Sequence, residues 1–244
     1  MNFEVMTLFP EMFDGFKSES IIKRAIENQI ININLHNIRD YSKKKSKSVD
    51  DYIFGGSQGM LLDCESVVGC YRDIINNTKS KHRVIYLSPK GKQFTSDLSS
   101  ELSKEESIIL LCGHYEGIDE RALNIMNVEE ISIGDYILTG GEVPAMVLID
   151  SISRFVRGVL HNDNSPIDDS FTNNLLEEEQ YTRPREFEGL RVPEILLSGD
   201  HKKIKDYKNK RKIEITKTKR PDLYQKYLKE INTGGKDEYK NTRD

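Results

Sequence analysis

The sequence predicts an α/β domain built on a largely parallel sheet, followed by a smaller helical domain. Strand-like apolar segments alternate with helix-like segments up to about residue 160, after which apolar residues become sparse. Glycine-containing loops follow three consecutive predicted strands, at residues 88–91, 113–117 and 134–141. Ligands of open parallel sheets bind at the carboxyl ends of the strands, so these loops predict one pocket lined by backbone atoms.

The N-terminal segment predicts two strands separated by two helices. Apolar residues at 3–8 predict the first strand, and Pro10 suits the first turn of a short helix. Serines at positions 18 and 20 are expected to cap a second helix that buries Ile22 and Ala25. Residues 31–35 alternate isoleucine or leucine with asparagine, which is the pattern of a half-buried strand.

The middle of the chain predicts three strands and two helices from its apolar patterns. The strands are expected at residues 83–87, 108–111 and 128–133, and the helices at residues 65–76 and 118–126. The first of these strands should end in a turn at residues 88–91, because this segment contains Pro89 and Gly91. Residues 49–60 are polar and rich in glycine, and a loop of this length in a compact domain is typically functional or disordered.

Residues 131–160 predict a strand end, a glycine turn at 139–142 and a long helix. Pro144 falls in the first turn of that helix, where its missing N–H costs little. A pair of glycines is most often only a tight connection between a strand and a helix. Neither phosphate-binding pattern, GxxxxGK[ST] or GxGxxG, is present in these loops, so the glycines do not indicate a phosphate site.

Composition points to a cytoplasmic protein. The 244 residues are 36% hydrophobic and 31% charged, which fits one large globular domain or two modest ones. No apolar run approaches the roughly 20 residues that span a bilayer, and the N-terminus lacks the pattern of a signal peptide, so no membrane role is expected. The cysteines at 64, 70 and 112 have no CxxC spacing and are expected to be reduced core residues rather than zinc ligands.

The C-terminal part is locally basic although the whole chain has a net charge of −4. Residues 200–229 contain twelve Lys or Arg against four Asp or Glu, a local balance of +8. This charge is typical of a surface that binds a phosphate backbone, and equally of a solvated helix face. The polar segment 161–170 predicts a linker between a first domain at residues 1–160 and a second at residues 171–244.

Several motifs together resemble one enzyme family along nearly the whole chain. They are YLSP at 86–89, CGHYEGIDER at 112–121, ISIGDYILTGGEVPA at 131–145, DDSF at 168–171, YTRP at 181–184, VPE at 192–194 and LSGDH at 197–201. In this order they closely resemble the bacterial tRNA (guanine-N1)-methyltransferases that act at tRNA position 37, which belong to the SPOUT superfamily. The loop at residues 50–60 departs from the family pattern DDxPYGGGPGM, which puts fine substrate positioning in doubt.

The resemblance implies a SPOUT fold whose C-terminal part is threaded as a trefoil knot, a connection that periodicity alone would exclude. It makes residues 1–160 the S-adenosylmethionine-binding knotted domain and residues 171–244 a helical tRNA-binding domain. Glycines let a backbone approach a ligand closely, so the resemblance implies that the glycine loops bind the methyl donor. The implied donor-binding residues are Tyr86, Leu87, Ser88, Pro89, Gly113, Tyr115, Glu116, Ile133, Gly134, Tyr136, Leu138, Gly140, Gly141 and Pro144.

The resemblance also implies two catalytic residues. Asp169 would be the general base that removes the proton from guanine N1, and Arg154 would stabilise the charge that develops on guanine O6. Considered alone, Asp169 is more typical of an N-cap for a helix near Ser170, and Arg154 of a salt bridge with Asp150. Family members use Mg²⁺, but no dedicated carboxylate cage is evident, so any metal would share Asp169, Glu116 or substrate oxygens.

The expected partners are tRNA with guanine at position 37 and a second copy of the chain. The base lies in the linker and the donor residues lie in the loops, so the resemblance implies a homodimer with composite sites. The basic second domain would hold the anticodon stem through phosphate contacts. Two alternatives are an RNA-binding protein that keeps the fold without catalysis, and a related knotted enzyme that methylates a ribose hydroxyl.

Overall fold

The computed structural model describes residues 1–78, 80–160 and 170–237. Backbone contacts divide the chain into two compact units, Met1–Asp163 and Asn164–Asp244, and each is described by itself. The division falls within the predicted linker, most of which lies outside the described residues. The domain roles assigned to the two parts of the chain stay predictions.

The first unit is organised around a five-stranded sheet in the order β2-β1-β6-β5-β7, in which every neighbouring pair is parallel. The predicted α/β class with a largely parallel sheet is therefore confirmed, while the trefoil knot stays a prediction. The strands of the sheet are β1 (Asn2–Thr7), β2 (Asn32–Asn37), β5 (His82–Gln93), β6 (Ser107–Leu111) and β7 (Glu129–Ser132). A separate hairpin consists of β3 (Asp50–Tyr52) and β4 (Met60–Leu62).

Helices cover both faces of this sheet. They are α1 (Asp14–Ser18), α2 (Ser20–Glu27), α3 (Cys64–Asn77), α4 (Ser96–Leu102), α5 (Glu120–Met126) and α6 (Glu142–Ser153). Every residue of the central strand β6 is buried. Ile108 and Leu110 pack into one core with α2, α4 and α6, whereas Ile109 and Leu111 pack into a second core with α3 and α5. Successive side chains of a strand point to opposite faces, so one apolar strand serves both layers.

The predicted turn at residues 88–91 is wrong, because β5 continues through it from His82 to Gln93. Its pairing with β7 shifts register between Leu87 and Lys92, which marks a bulge. A proline has no N–H for the ladder, and bulges are where strands tolerate it, so Pro89 fits within this strand. At Gly91 a side chain would collide with the backbone of Glu130 and Ile131, so the bulge requires glycine.

Three other local predictions also differ from the structure. The serine cap is wrong, since α2 has Glu19 at its N-cap and no side-chain capping bond. Residues 49–60 are not one long loop but most of the β3–β4 hairpin, with Phe54 94% exposed in its connection. The helix α4 was not predicted, although Thr95 caps it by accepting a hydrogen bond from the Leu98 N–H.

The second unit is mainly helical, with α7 (Glu194–Leu197), α8 (His201–Lys219), α9 (Pro221–Asp237) and a small hairpin, Glu186–Phe187 with Leu190–Arg191. The α8 helix begins with a capping bond from the Lys203 N–H to the Asp200 carboxylate, which explains its start in the sequence DH. Within the described ranges, no helix has the length and apolar character needed to cross a membrane.

Candidate active site

A cavity of about 300 Å³ opens at the carboxyl ends of β5, β6 and β7. It is lined by the loops that follow β6 and β7 and by the bulged part of β5. All fourteen residues that the resemblance implies for the methyl donor surround it: Tyr86, Leu87, Ser88, Pro89, Gly113, Tyr115, Glu116, Ile133, Gly134, Tyr136, Leu138, Gly140, Gly141 and Pro144. Six lining residues were missed: His114, Gly117, Ile131, Ser132, Ile137 and Thr139. Their position within the same two loops and strand end is the signal that could have found them.

The register of the sheet explains why these segments meet. Tyr86 of β5 pairs with Leu111 of β6, and Leu87 pairs with Ile131 of β7. The three neighbouring strands therefore reach the same level of the sheet within a residue or two. Loops that leave neighbouring parallel strands at the same level lie side by side. These loops therefore share one cavity.

Glycines allow the two loops to touch through their backbones. The Gly141 N–H donates a hydrogen bond to the Gly113 carbonyl oxygen over 2.9 Å. A Cβ on Gly141 would lie 2.6 Å from the Cys112 Cα and 2.7 Å from the Gly113 nitrogen, which is closer than real contacts allow. Gly141 has a φ of −84°, so it is space rather than backbone conformation that excludes a side chain. The glycine pair is therefore more than an ordinary turn.

The cavity wall is largely uncharged. Burial raises the pKa of the Tyr86 hydroxyl, with smaller contributions from Glu130 and Glu120, so this group stays neutral at physiological pH. Burial also raises the pKa of the neighbouring Cys112 thiol, which excludes it as a thiolate nucleophile. Glu116 is the one carboxylate among the described lining residues. The cavity thus offers backbone N–H and C=O groups, a few hydroxyls and a single negative charge to a ligand.

Of the two predicted catalytic residues, the structure describes only Arg154, and it does not place Arg154 at this cavity. Asp169 lies outside the described residues. Arg154 is the C-cap of α6, whereas Gly141 beside the cavity is the N-cap of the same helix. At 1.5 Å per residue, Gly141 and Arg154 are roughly 20 Å apart along the helix axis. Arg154 is half-buried there and is not among the described residues that line the cavity.

In the part of the chain that the structure describes, no group of three or more His, Cys, Asp or Glu side chains is arranged to hold a metal ion. Glu116 alone supplies a carboxylate at the cavity. A resident all-protein metal cage is thus absent from the described residues, and any Mg²⁺ would need ligands from elsewhere.

Comparison with known proteins identifies the family. The family described as tRNA (Guanine-1)-methyltransferase TrmD matches residues 1–226. A protein of Clostridioides difficile (strain 630) is 53% identical over 227 residues, which cover 93% of this chain and 98% of that protein. A protein of Finegoldia magna is 52% identical over 235 residues, covering 96% and 100% of the two chains. A protein of Staphylococcus carnosus (strain TM300) is 52% identical over 227 residues, covering 93% and 92%.

All three relatives bear the name tRNA (guanine-N(1)-)-methyltransferase. The family match and these identities both extend over nearly the whole chain. The chain therefore belongs to the tRNA (guanine-1)-methyltransferase TrmD family, whose α/β fold is of the SPOUT type.

Proposed function

We propose which residues of this protein bind the methyl donor and the tRNA and which residues catalyse the methyl transfer. The protein is a tRNA (guanine-N1)-methyltransferase that uses S-adenosylmethionine as its methyl donor and acts on guanine at tRNA position 37. The main observation behind the proposal is that the donor-binding residues expected between positions 86 and 144 all surround one cavity. We also place the protein in the cytoplasm, because its tRNA substrate is there.

The cavity is proposed to hold S-adenosylmethionine. Its volume of about 300 Å³ lies at the lower end of the range for small-molecule sites. Backbone N–H and C=O groups of the glycine loops can hydrogen-bond the adenine and the methionine ends, because glycine lets the backbone approach a ligand closely. The carboxylate of Glu116 would favour the positively charged sulfonium.

Replacing Gly141 with Ala is expected to weaken S-adenosylmethionine binding at least about tenfold, because overpacking of this kind distorts the structure around it. The added Cβ would force the loop away from Cys112 and from Gly113, which lines the opposite wall. Isothermal titration of the donor measures the effect. Gly15→Ala is the matched control, since nothing lies within 4 Å of its added Cβ. Equal donor affinity in Gly141→Ala and wild type would contradict the proposed site.

Asp169 is proposed as the general base, and Arg154 as the group that stabilises the charged guanine. Guanine N1 carries a proton and becomes a nucleophile when the Asp169 carboxylate takes that proton. The N1 lone pair then forms a bond to the methyl carbon while the carbon–sulfur bond breaks, which leaves S-adenosylhomocysteine. The guanidinium of Arg154 would offset the negative charge on O6. A Mg²⁺, when bound, would be held by Asp169, Glu116 or substrate oxygens and would supply further positive charge.

The site is proposed to form between two copies of the chain. Within one chain, Arg154 lies at the opposite end of α6 from Gly141 at the cavity, roughly 20 Å away along the helix axis. Methyl transfer requires reacting atoms about 3–3.5 Å apart, so the guanine-binding groups must stand next to the donor. A homodimer in which one protomer supplies the cavity and its partner supplies Arg154 and Asp169 satisfies both conditions.

The second unit is proposed to bind tRNA through only some of its lysines. Lys208 lies 2.8 Å from the Glu178 carboxylate, which is 7% exposed, and Lys212 lies 3.6 Å from it. Burial alone would raise the pKa of Glu178, but these two lysines outweigh it and lower the pKa. Lys208 and Lys212 therefore stabilise the folded second unit. In contrast, Lys202 and Lys210 are exposed on the same helix without an acidic partner among the described residues, and can contact phosphates.

Lys210→Gln is expected to change tRNA binding, whereas Lys208→Gln is expected to change stability. Lys210→Gln should weaken tRNA binding without a change in stability. It should also reduce the slope of log K against the logarithm of the salt concentration by about one, as expected for the loss of one phosphate contact. Lys208→Gln should lower the unfolding temperature, because Glu178 loses its nearest partner. Filter binding over a salt series and thermal unfolding measure the two effects. An unchanged salt slope in Lys210→Gln would argue that this face is only solvated.

The reaction itself is tested by transfer of labelled methyl to unmodified tRNA with guanine at position 37, beside the same tRNA with adenine there. We expect label only on the guanine substrate. Equal label on both would favour the ribose-methylating alternative. Donor binding without transfer to either tRNA, even with Mg²⁺ present, would favour the alternative of an RNA-binding protein that has lost catalysis.

A further inference from the structure

Glu142, the first residue of α6, is a buried carboxylate with two hydrogen-bond partners. Its side chain is 1% exposed. The Thr7 hydroxyl donates to Oε1 over 2.7 Å, and His114 Nε2 lies 2.9 Å from Oε2. Burying a carboxylate is costly unless its oxygens are hydrogen-bonded, so this arrangement links three separate segments firmly.

These three segments meet where β1 and β6 end. Thr7 is the last residue of β1, His114 lies in the loop after β6, and Glu142 opens α6. Thr7 Oγ1 also accepts a hydrogen bond from the Phe9 N–H over 2.9 Å. The Phe9 ring packs against His114 edge-on, with ring centroids 4.9 Å apart. We call the Thr7, His114 and Glu142 side chains the carboxylate clamp.

The carboxylate clamp stands at the wall of the cavity. His114 lines it together with Gly113 and Tyr115, and Glu142 directly follows Gly140 and Gly141, which line it from the other side. A Cβ on Gly140 would lie 2.6 Å from Glu142 Oε2, so the clamp and the glycine loop are packed tightly together. The hydrogen bond between His114 and Glu142 thus joins the two loops whose separation sets the width of the cavity.

We propose that His114 is a positioning residue for the methyl donor. Its hydrogen bond to Glu142 holds the loop after β6 against the start of α6, so the cavity is formed before the donor arrives. A preformed site avoids the free-energy cost of ordering its loops when the ligand binds. This inference rests on the proposed function, because it assumes that S-adenosylmethionine occupies the cavity.

His114→Phe and His114→Gln separate the hydrogen bond from the packing. Phenylalanine keeps a ring against Phe9 but has no donor for Glu142, whereas glutamine places an N–H close to the position of Nε2. We expect His114→Phe to raise the KM for S-adenosylmethionine about tenfold, the scale of one lost hydrogen bond to a buried charge, with kcat within about twofold of wild type. His114→Gln should restore most of the affinity. Steady-state kinetics and donor titration without tRNA measure both.

His36 provides a matched control. Its Nε2 lies 2.6 Å from Oε2 of Glu4, another buried carboxylate, and neither residue lines the cavity within the described part of the chain. His36→Phe should lower the unfolding temperature without changing the KM for the donor. We expect His36→Phe and His114→Phe to lose similar stability, but only His114→Phe to raise the KM for the donor. This difference separates positioning of the donor from general destabilisation.

Several outcomes would overturn the inference. His114→Phe with an unchanged donor KM, or His114→Gln impaired as much as His114→Phe, would show that the bond does not position the donor. If His114→Phe does not fold, His114→Asn replaces it, since its amide is too short to reach Glu142, and should show the same rise in KM. Wild-type protein that does not bind S-adenosylmethionine would instead contradict the proposed function.

Discussion

Asp169→Asn is expected to lower the rate of methyl transfer by about 10²- to 10⁴-fold, the usual contribution of a general base. Asparagine has nearly the size of aspartate but cannot accept the proton of guanine N1. Asparagine also caps helices as well as aspartate does, so a capping role for Asp169 would survive the change. The substitution therefore removes basicity and leaves the cap, which is the distinction that the sequence left open.

The measurement is single-turnover transfer of labelled methyl at saturating donor and tRNA, because slow product release cannot hide the chemical step there. Donor affinity should stay within about twofold of wild type, since Asp169 is not among the residues proposed to bind the donor. Asp168→Asn is the matched control, one residue away in the DDSF motif. Full activity in Asp169→Asn would leave only the capping role, and a loss confined to Asp168→Asn would assign the base to that residue.

The cavity could be predicted from the sequence because its parts are local. Each glycine loop follows directly from a strand, and neighbouring parallel strands bring their carboxyl ends together. The bulge in β5 could not be predicted in this way, since Pro89 and Gly91 have the composition of a turn. Only the packing of Gly91 against the backbone of Glu130 explains why the strand continues.

The carboxylate clamp could not be predicted either, because it depends on the order of the strands. Thr7 and Glu142 are 135 positions apart. They meet because β1 lies next to β6 in the sheet and the Gly141 N–H, at the start of α6, bonds to the Gly113 carbonyl just after β6. No periodicity encodes this adjacency. The motif containing His114 was recognised, but its contact with Glu142 needed three-dimensional coordinates.

Two impaired variants are expected to restore activity to each other when they share a dimer. Gly141→Ala weakens donor binding at the proposed cavity and Asp169→Asn removes the proposed base, so each homodimer should have little activity at a donor concentration well below the Kd of Gly141→Ala. In a mixed dimer with composite sites, one site combines both defects, whereas the other combines an intact cavity with an intact base. The mixed dimer should therefore have about half of the wild-type activity.

Co-expression with two different affinity tags and sequential purification isolates the mixed dimer for the methyl-transfer assay. The control pairs Gly141→Ala with a chain that carries both substitutions, because no site of that dimer has an intact cavity. If the mixed dimer of the two single variants is as inactive as this control, cavity and base belong to the same chain, and the composite site is wrong. Recovered activity would instead explain why Arg154 lies roughly 20 Å along α6 from Gly141 at the cavity. The helix that begins at one donor site would then end at the active site of the partner.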